Sequence, residues 1–483
     1  MILLKNISYE TPYKDRILTN ISLEIKTGEF VVITGKSGSG KTTLGYVING
    51  LIPHYYTGEL KGSAYINGKN INEISLFKMG GLVGTVFQEP KNQFFMMDVF
   101  NEVAFGCSNM GLKRDDILVH TEKSLEVLGI KHLKERNIFN LSSGEKQKLA
   151  IASCNAMSPD VYLFDEPTAN LDIASILDLK KILKLLKQKG KTVIVLEHRL
   201  FYLCEILDRM ILLNNGKIEK EYLRNELINV DEKYLRSLFF DNIKVENCIK
   251  PNLNKMLFET KNLSYSFKDN TYLFKNISFC AYEKEIIGII GKNGEGKTTF
   301  AKLCAGLLKE TSGSILLDGK KLNYKKRLGK VYFVMQDSDL QLFSDTVKNE
   351  LKICKIHNNI SDTEIDEILS KFGIIDFKEK HPMTLSRGEK QRLTIATSFT
   401  SNSKVIFFDE PTSGLDKFSM SLISKNLIHL SSSKVIFVIS HDSEFLLSVC
   451  TRIIQLKNGT FEQDFSLNDE TKGRLLKLLE LKE

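Results

Sequence analysis

Two glycine-rich loops, one in each half of the chain, have the residue types needed to bind a polyphosphate. The first loop, 35–43, follows the apolar run Phe30 to Ile33, and the second, 291–299, follows the apolar run Ile286 to Ile290. Glycines let backbone N–H groups surround an anion, a lysine can reach the β- and γ-phosphates, and a threonine hydroxyl can bind Mg²⁺. Because both loops lie between an apolar strand and a helix-like segment, phosphate binding is favoured over two ordinary surface loops. The candidate phosphate-binding residues are Gly35, Ser37, Gly38, Gly40, Lys41, Thr42, Thr43, Gly291, Asn293, Gly294, Gly296, Lys297, Thr298 and Thr299.

Each half also has two consecutive carboxylates at the end of a continuous apolar run. These pairs are Asp165 with Glu166 and Asp409 with Glu410. The aspartate of each pair can hold Mg²⁺ through water, and the glutamate can orient or deprotonate an attacking water molecule. A single Asp-Glu pair is more often a solvated turn. Its repetition behind two strands, in halves that each have a phosphate loop, favours a hydrolytic role.

A third motif, Leu-Ser-x-Gly-Glu-Lys-Gln, begins at Leu141 and again at Leu385, each time ahead of a predicted helix. Serine followed three residues later by glutamate is a helix-capping pattern. The N-terminus of a helix with a serine and a glycine is equally a site for a phosphate group. The residues alone leave both interpretations open for Ser142, Gly144, Ser386 and Gly388.

The two halves repeat one plan. Lys5 aligns with Lys261, and Lys41 aligns with Lys297, without a gap between the two pairs. Later motifs keep the same order with small differences in loop length. The period is far too long for a solenoid, so the repeat indicates a tandem duplication of a whole domain.

The elements that must position these motifs predict an α/β fold class. Continuous apolar runs such as Val161 to Phe164 suit strands of a parallel sheet that is buried on both faces. The helical stretch Ile173 to Gln188 lies between two such runs and gives a βαβ unit. Alternating apolar residues near the N-terminus predict an antiparallel β region, and residues from Asn92 to about Asn140 predict an inserted helical subdomain.

Domain boundaries follow from the repeat. A charged helical stretch is expected over Glu221 to Phe240, and an amphipathic helix over Lys472 to Leu481. The predicted segments are a first domain over 1–220, a linker over 221–255, a second domain over 256–465 and a C-terminal helical tail over 466–483.

Composition narrows the class of protein. A chain of 483 residues suits two or three domains, and its 8 cysteines are scattered, which predicts reduced thiols and no zinc site. The net charge of +8 is spread without a basic block, so a lysine-rich surface is favoured over a nucleic-acid partner. No apolar run approaches the ~18 residues of a membrane span, and the N-terminus does not predict a signal peptide.

In order and type, the motifs resemble those of the ATP-binding cassette ATPases over nearly all of the chain. The resemblance implies two tandem P-loop NTPase (cassette) domains, each with a mixed sheet core, an antiparallel β region and an inserted helical subdomain. It also implies ATP hydrolysis, with ATP and Mg²⁺ as cofactors. It rests on the phosphate loops and the Asp-Glu pairs, the Leu-Ser-x-Gly-Glu segments, and Gln88, Gln336, Asp172, Asp416, His198 and His441.

The same resemblance implies that the two halves pair head to tail within the chain and hold two ATP molecules between them. Lys41 and Thr42 would share one ATP with Ser386 and Gly388, and the second ATP would lie between the corresponding residues Lys297, Thr298, Ser142 and Gly144. The implied general bases are Glu166 and Glu410, and the implied γ-phosphate contacts are His198 and His441. The implied Mg²⁺ ligands are Thr42, Gln88, Asp165, Thr298, Gln336 and Asp409. Adenine would stack on Phe267 in the second half and on Tyr13 or Tyr9 in the first.

Two departures from the family pattern affect the expected symmetry. The usual glycine after Leu-Ser is replaced by Ser143 in the first half and by Arg387 in the second. Because every catalytic carboxylate and histidine is present in both halves, we predict two competent sites. Arg387 is bulky and charged, so we expect it to make them unequal.

The stretch around Gln88 is similar to that of the ATPases of energy-coupling factor transporters, which take up vitamins and transition-metal ions. A second glutamine, Gln93, follows with aromatic residues and a Val-Ala-Phe-Gly segment that ends at Gly106. Residues 50–56 resemble the fused, double-ATPase members of that group. The resemblance implies docking of a transmembrane scaffold subunit on the helical subdomains, a separate membrane subunit that binds the substrate, and location at the cytoplasmic face of the cell membrane.

Two other classes remain as alternatives. A double-cassette sugar importer would have a similar length but a different pattern around the glutamine. A cassette ATPase that acts in translation would bind nucleic acid and carry a long, highly charged linker between its domains. The linker predicted here is short and of mixed composition, which favours the transporter class.

Overall fold

The computed structural model describes residues 1–36, 38–169, 171–200, 202–229, 251–267, 271–353, 360–413, 415 and 417–479. Ser37 and Asp416, both named in the sequence analysis, lie outside these ranges. The chain divides into two compact units, residues 1–241 and 242–483.

The first unit contains two sheets. Its strands are β1 (Ile2–Glu10), β2 (Arg16–Ile25), β3 (Phe30–Thr34), β4 (Glu59–Ile66), β5 (Lys69–Asn70), β6 (Val83–Val86), β7 (Val161–Asp165), β8 (Thr192–Leu196), β9 (Arg209–Asn214) and β10 (Lys217–Leu223). Its helices are α1 (Lys41–Ile48), α2 (Leu51–His54), α3 (Leu76–Leu82), α4 (Val99–Asn109), α5 (Arg114–Val127), α6 (Ser143–Ala156), α7 (Ile173–Gln188) and α8 (Arg224–Asn229).

The strand order of the first unit brings the motifs together at the carboxyl ends of its parallel strands. The larger sheet has the order β10-β9-β3-β8-β7-β6 and is parallel except for the β9–β10 hairpin. The smaller sheet, β2-β1-β4-β5, is antiparallel. Every residue of β7 and β8 is buried, as expected for continuous apolar strands covered on both faces. The carboxyl ends of β3, β7 and β8 therefore meet beside the phosphate loop.

The second unit repeats this plan. Its strands are β11 (Asn252–Ser266), β12 (Tyr272–Glu283), β13 (Ile286–Ile290), β14 (Ser312–Leu317), β15 (Lys320–Leu322), β16 (Val331–Val334), β17 (Val405–Asp409), β18 (Val435–Ile439), β19 (Arg452–Lys457) and β20 (Thr460–Ser466). Its helices are α9 (Lys297–Cys304), α10 (Tyr324–Arg327), α11 (Val347–Ile353), α12 (Asp362–Lys371), α13 (Arg387–Thr400), α14 (Lys417–Leu430), α15 (Ser443–Val449) and α16 (Lys472–Leu478). The sheets run β16-β17-β18-β13-β19-β20 and β12-β11-β14-β15.

The fold class is confirmed: two tandem α/β domains each combine a mostly parallel sheet with an antiparallel one. Helices α4 and α5 lie within the segment predicted as an inserted helical subdomain. No helix in the described part of the chain is long and apolar enough to cross a membrane.

One secondary-structure prediction is wrong at its start. Residues 221–223 continue strand β10 and pair with β9, so they are not helical. In this register Glu221 pairs with Ile211 and Leu223 pairs with Arg209, whose Nη1 lies 2.9 Å from a carboxylate oxygen of Glu221. Helix α8 begins only at Arg224, and residues 230–240 of the predicted helix lie outside the described residues.

The C-terminal helix is present over Lys472–Leu478, and the last part of its predicted range, 480–481, lies outside the described residues. Leu475 and Leu476 are buried and belong to a core cluster of the second unit. The amphipathic pattern is thus accounted for by packing within that unit.

Candidate active sites

The first phosphate loop joins the end of β3 to the start of α1. Three of its glycines have backbone conformations that favour glycine, with φ of 156° at Gly35, 75° at Gly38 and 98° at Gly40. A Cβ on Gly35 would overlap the carbonyl oxygen of Leu213, and one on Gly40 would lie 2.8 Å from a methyl group of Leu18. The tight path of this loop therefore depends on glycine at both positions.

The lysine side chain of each loop donates hydrogen bonds to backbone carbonyl groups of the same loop. Lys41 is 4 % exposed, and its Nζ donates to the carbonyl oxygens of Gly35 at 3.0 Å and Lys36 at 3.1 Å. Lys297 is 7 % exposed and makes the same two contacts, at 2.6 Å to Gly291 and 2.9 Å to Lys292. Each unit thus holds a buried ammonium group within its glycine-rich loop, where a phosphate group can pair with it.

The structure brings the loop threonine to the strand-end aspartate in both units. Thr42 Oγ1 donates to Asp165 Oδ1 at 3.2 Å, and Thr298 Oγ1 donates to Asp409 Oδ2 at 2.7 Å. Burial, with a further contribution from the charge of Glu166, raises the pKa of Asp165 to about 7. Burial also raises the pKa of Asp409. Hydroxyl and carboxylate oxygens are the ligand types that Mg²⁺ takes, completed by water and substrate phosphates.

Glu166 lies between two other predicted site residues. Gln88 Nε2 donates to Glu166 Oε2 at 2.6 Å, and His198 Nε2 lies 2.9 Å from Glu166 Oε1. The backbone of Glu166 is left-handed, with φ of 42°, and its N–H donates to the carbonyl of Leu196 at 2.8 Å. This strained conformation of a non-glycine residue is held by the neighbouring strand and aims the carboxylate at the edge where the phosphate loop lies.

The corresponding glutamate of the second unit lies farther from its histidine. Glu410 is also left-handed, with φ of 46°, and its N–H donates to Ile439 O at 2.9 Å. His441 Nε2 lies 3.8 Å from Glu410 Oε1, and Ser440 Oγ donates to Glu410 Oε2 at 3.4 Å. Gln336 follows β16 at the position that Gln88 occupies after β6.

Both Leu-Ser-x-Gly-Glu segments form capping boxes. Ser142 N donates to the carboxylate of Glu145 at 2.8 Å, and Glu145 N donates to Ser142 Oγ at 3.3 Å. Ser386 and Glu389 repeat both bonds at the start of α13. Both serines are exposed, so the cap leaves each helix N-terminus accessible to a ligand. The structural interpretation is confirmed, and the phosphate-binding interpretation stays a prediction.

The structure separates the two candidates for adenine stacking in the first unit. Tyr9 is 5 % exposed and its hydroxyl donates to Thr57 O at 2.9 Å, so its ring is inaccessible to a ligand. Tyr13 is 88 % exposed in the turn after β1. Phe267, in the matching turn of the second unit, is 49 % exposed, and Tyr265 contacts its ring edge-on at 5.7 Å. Tyr13 and Phe267 are the rings that an adenine could reach.

A carboxylate that the sequence analysis did not single out holds the loop after each glutamine predicted as a Mg²⁺ ligand. Glu102 accepts from the N–H groups of Phe95 and Met96 at 2.9 and 2.8 Å. Glu350 accepts from Phe343 and Ser344 at 2.9 and 2.7 Å. In the sequence, these glutamates could have been identified from the Asn-Glu pair that occurs at the same place in both halves. The side chains of Gln93 and Gln341 also stabilise these loops, because each accepts a hydrogen bond from a backbone N–H group of its loop.

Comparison with known proteins follows the same division of the chain. A family model described as ABC transporter matches residues 18–169 and 274–413. A protein of Treponema denticola assigned as an ABC transporter ATP-binding protein is 40 % identical over 99 % of this chain and 100 % of its own length. A protein of Methanosarcina mazei with the same description is 30 % identical over 95 % of this chain and 88 % of its own length.

Solved structures agree on the fold over almost the whole chain. A structure titled RNase-L Inhibitor is similar with a TM-score of 0.63 and 22 % identity, covering 98 % of this chain and 92 % of that one. A ribosome-bound archaeal Pelota and ABCE1 model is similar with a TM-score of 0.69 and 22 % identity, covering 98 % of this chain and 80 % of that one. At these identities the likeness concerns the tandem architecture alone.

Proposed function

Because the chain belongs to the ABC transporter family and is an ATP-binding, ATP-hydrolysing protein, we propose that it energises uptake through a membrane transporter of energy-coupling factor type. Its partners would be a transmembrane scaffold subunit and a separate membrane subunit that binds a vitamin or a metal ion. The chain would act at the cytoplasmic face of the cell membrane.

Hydrolysis is assigned to the residues that meet at the carboxyl edge of each parallel sheet. We assign Glu166 and Glu410 as general bases, because each carboxylate is held at the strand end beside the phosphate loop. The 2.9 Å contact of His198 with Glu166 supports a shared role at the γ-phosphate, with His441 as its counterpart. Catalysis of phosphoryl transfer requires positioning and charge stabilisation more than covalent chemistry, which suits a set of fixed polar side chains.

Mg²⁺ fits the oxygen atoms at the same edge. Thr42 with Asp165, and Thr298 with Asp409, would hold the ion, with Gln88 and Gln336 as further ligands. When bound, Mg²⁺ neutralises charge on the phosphate oxygens. A cation beside Asp165 also favours the ionised form of this buried carboxyl, whose pKa is raised to about 7 without it.

Exposed apolar side chains near Gln88 and Gln336 support the proposal of a membrane partner. Phe95 and Met97 are 74 % and 67 % exposed, and Leu340 and Phe343 are 63 % and 79 % exposed. Exposed large apolar side chains that cluster mark interaction surfaces. In the first unit, two hydrogen bonds hold the loop that carries this surface: Phe95 N–H donates to Glu102, and Phe87 N–H donates to Gln93. The same loop contains Gln88, which donates to Glu166.

Purification from detergent-solubilised membranes tests the transporter assignment. We expect the full chain to bring down small integral membrane proteins, and the double variant Phe95→Ser, Phe343→Ser to lose them. Phe77→Ser is the control, because Phe77 is 58 % exposed on α3, away from the loop that carries Phe95. Recovery with ribosomes instead of membranes would support the translation alternative.

Turnover of single variants tests the assigned bases. Glu166→Gln and Glu410→Gln should each lower steady-state ATP hydrolysis, since loss of a general base costs about 10²- to 10⁴-fold at its own site. Retained ATP binding, measured with a fluorescent nucleotide, would show that each variant still folds. If either change leaves turnover untouched, the assignment of two competent sites is wrong.

A further inference from the structure

A buried carboxylate stands at the end of β8 in the first unit, next to the catalytic histidine. Glu197 is 2 % exposed and accepts four hydrogen bonds. Oε2 accepts from Thr168 Oγ1 at 2.7 Å and from Tyr202 Oη at 3.1 Å. Oε1 accepts from the backbone N–H groups of His198 at 2.8 Å and Arg199 at 3.1 Å. Burial of a carboxylate is costly, so donors on both oxygens are what keeps it in place.

These four donors come from two different loops. Thr168 belongs to the loop after β7, two residues beyond Glu166, while His198 and Arg199 begin the loop after β8. One side chain therefore links the backbone that carries the proposed base to the backbone that carries the proposed γ-phosphate contact. The carboxylate of Glu166 itself accepts from Gln88 and lies 2.9 Å from His198 Nε2.

In the second unit, the described residue at this position has a different side chain and different contacts. Ser440 occupies the place of Glu197, and its hydroxyl accepts from Asp442 N at 3.1 Å and donates to Glu410 at 3.4 Å. Phe445, whose side chain cannot donate a hydrogen bond, occupies the place of Tyr202. The distance between the histidine Nε2 and the glutamate carboxylate is 3.8 Å in this unit, against 2.9 Å in the first.

We propose that Glu197 is a positioning residue that fixes His198 against Glu166, so that the first unit is pre-organised for hydrolysis in a way that the second unit is not. The proposal rests on the roles assigned above to Glu166 and His198. It predicts that the two units hydrolyse ATP at different rates because the loops at their catalytic edges differ, independently of Arg387. Catalytic groups must be held within a fraction of an ångström, which is why a clamp between two loops affects rate.

The test uses backgrounds in which one site is disabled. In Glu410→Gln protein the remaining turnover belongs to the first unit, and in Glu166→Gln protein it belongs to the second. We expect Glu197→Ser, which installs the residue found in the second unit, to lower kcat in the Glu410→Gln background by about 10- to 100-fold with little change in KM, because misplacement by about 1 Å can cost about 100-fold. The fall in the Glu166→Gln background should be far smaller.

Two conservative variants separate positioning from folding. Glu197→Gln retains the shape and can keep all four partners, since the hydroxyls of Thr168 and Tyr202 can accept as well as donate. It should therefore restore kcat to within a few fold of its parent. Tyr202→Phe removes one donor and should give a smaller fall than Glu197→Ser, in the same background.

The possible results of these kcat measurements test different claims. Equal losses in both backgrounds, together with a lowered melting temperature, would show that Glu197 only stabilises the unit and would overturn the proposal. Unchanged kcat for Glu197→Ser in the Glu410→Gln background would also overturn it. Full activity of the Glu166→Gln parent would instead overturn the assignment of the base itself. If Glu197→Ser fails to fold, the kcat of Tyr202→Phe in the two backgrounds decides the matter.

Discussion

Charged side chains with little exposure lie both at the catalytic edge and away from it. Asp165 and Asp409 lie at the catalytic edge, where burial raises the pKa of each carboxyl and a bound cation would lower it. Lys434 lies just before β18, away from that edge, and donates to the carbonyl of Ser401 at 2.8 Å. Burial lowers the pKa of Lys434 to about 8. The two aspartates are assigned above to Mg²⁺ binding, whereas Lys434 lies outside the proposed sites and bears on the stability of the second unit.

The lowered pKa of Lys434 predicts a pH-dependent stability. Below about pH 8 the folded protein bears the cost of a partly buried ammonium group. Above it the folded state releases a proton that the unfolded state still binds, so the free energy of unfolding rises with pH. Lys434→Arg stays charged, so wild type should gain melting temperature relative to this variant between about pH 7 and pH 9.5.

The exposed pair of Lys404 and Asp318 provides the control for this measurement. Lys404→Arg should show no comparable pH-dependent difference, because its side chain is 59 % exposed. A wild-type advantage over Lys434→Arg that shrank as pH rises would contradict the assigned direction.

Among the elements, the two helices that follow the Leu-Ser-x-Gly-Glu segments combine a local stabilising device with a proposed ligand contact. Ser386 caps α13 through the same reciprocal bonds that Ser361 makes at the start of α12. Both helices belong to the second unit, but only Ser386 belongs to a motif assigned to ATP. The matched caps allow stability and ligand contact to be separated.

We expect Ser386→Ala and Ser361→Ala to lower the free energy of unfolding by a similar amount, about 1 kcal/mol, since each removes an N-cap side chain. Only Ser386→Ala should also lower ATP turnover. Denaturant unfolding and steady-state hydrolysis of both variants provide the measurements. Equal turnover of the two variants would leave Ser386 with a capping role alone.

For the whole molecule, the family resemblance implies that each phosphate loop completes its site with the Ser-x-Gly segment of the other half. ATP would then favour association of the two halves, because closure creates contacts with the γ-phosphate that the open state lacks. ADP lacks that group, so it should favour the closed arrangement much less.

Crosslinking tests this arrangement. In a background without native cysteines, Lys36→Cys with Ser386→Cys should crosslink in higher yield with a non-hydrolysable ATP analogue than with ADP. Lys36→Cys with Ser361→Cys is the control pair, because Ser361 is outside the motifs assigned to ATP. Equal yields with both nucleotides would contradict nucleotide-driven closure.

Local patterns were sufficient for the main conclusions about this chain. Continuous apolar runs indicated buried parallel strands, the glycine-rich loops indicated phosphate binding, and the ordered motifs indicated two cassette ATPase domains. These features depend on neighbours along the chain, so their spacing carries the information. The same is true of the capping boxes at Ser142 and Ser386, which span only four residues.

Other features depended on contacts between distant segments. Nothing local distinguishes Tyr9 from Tyr13, because the fold of the antiparallel sheet buries one ring and exposes the other. The helical pattern at 221–223 gave way to pairing with β9, since a strand partner outweighs weak local propensity. The role of Glu197 was hidden for the same physical reason: Thr168, one of its donors, lies 29 positions away, and only the adjacency of β7 and β8 brings the two loops together.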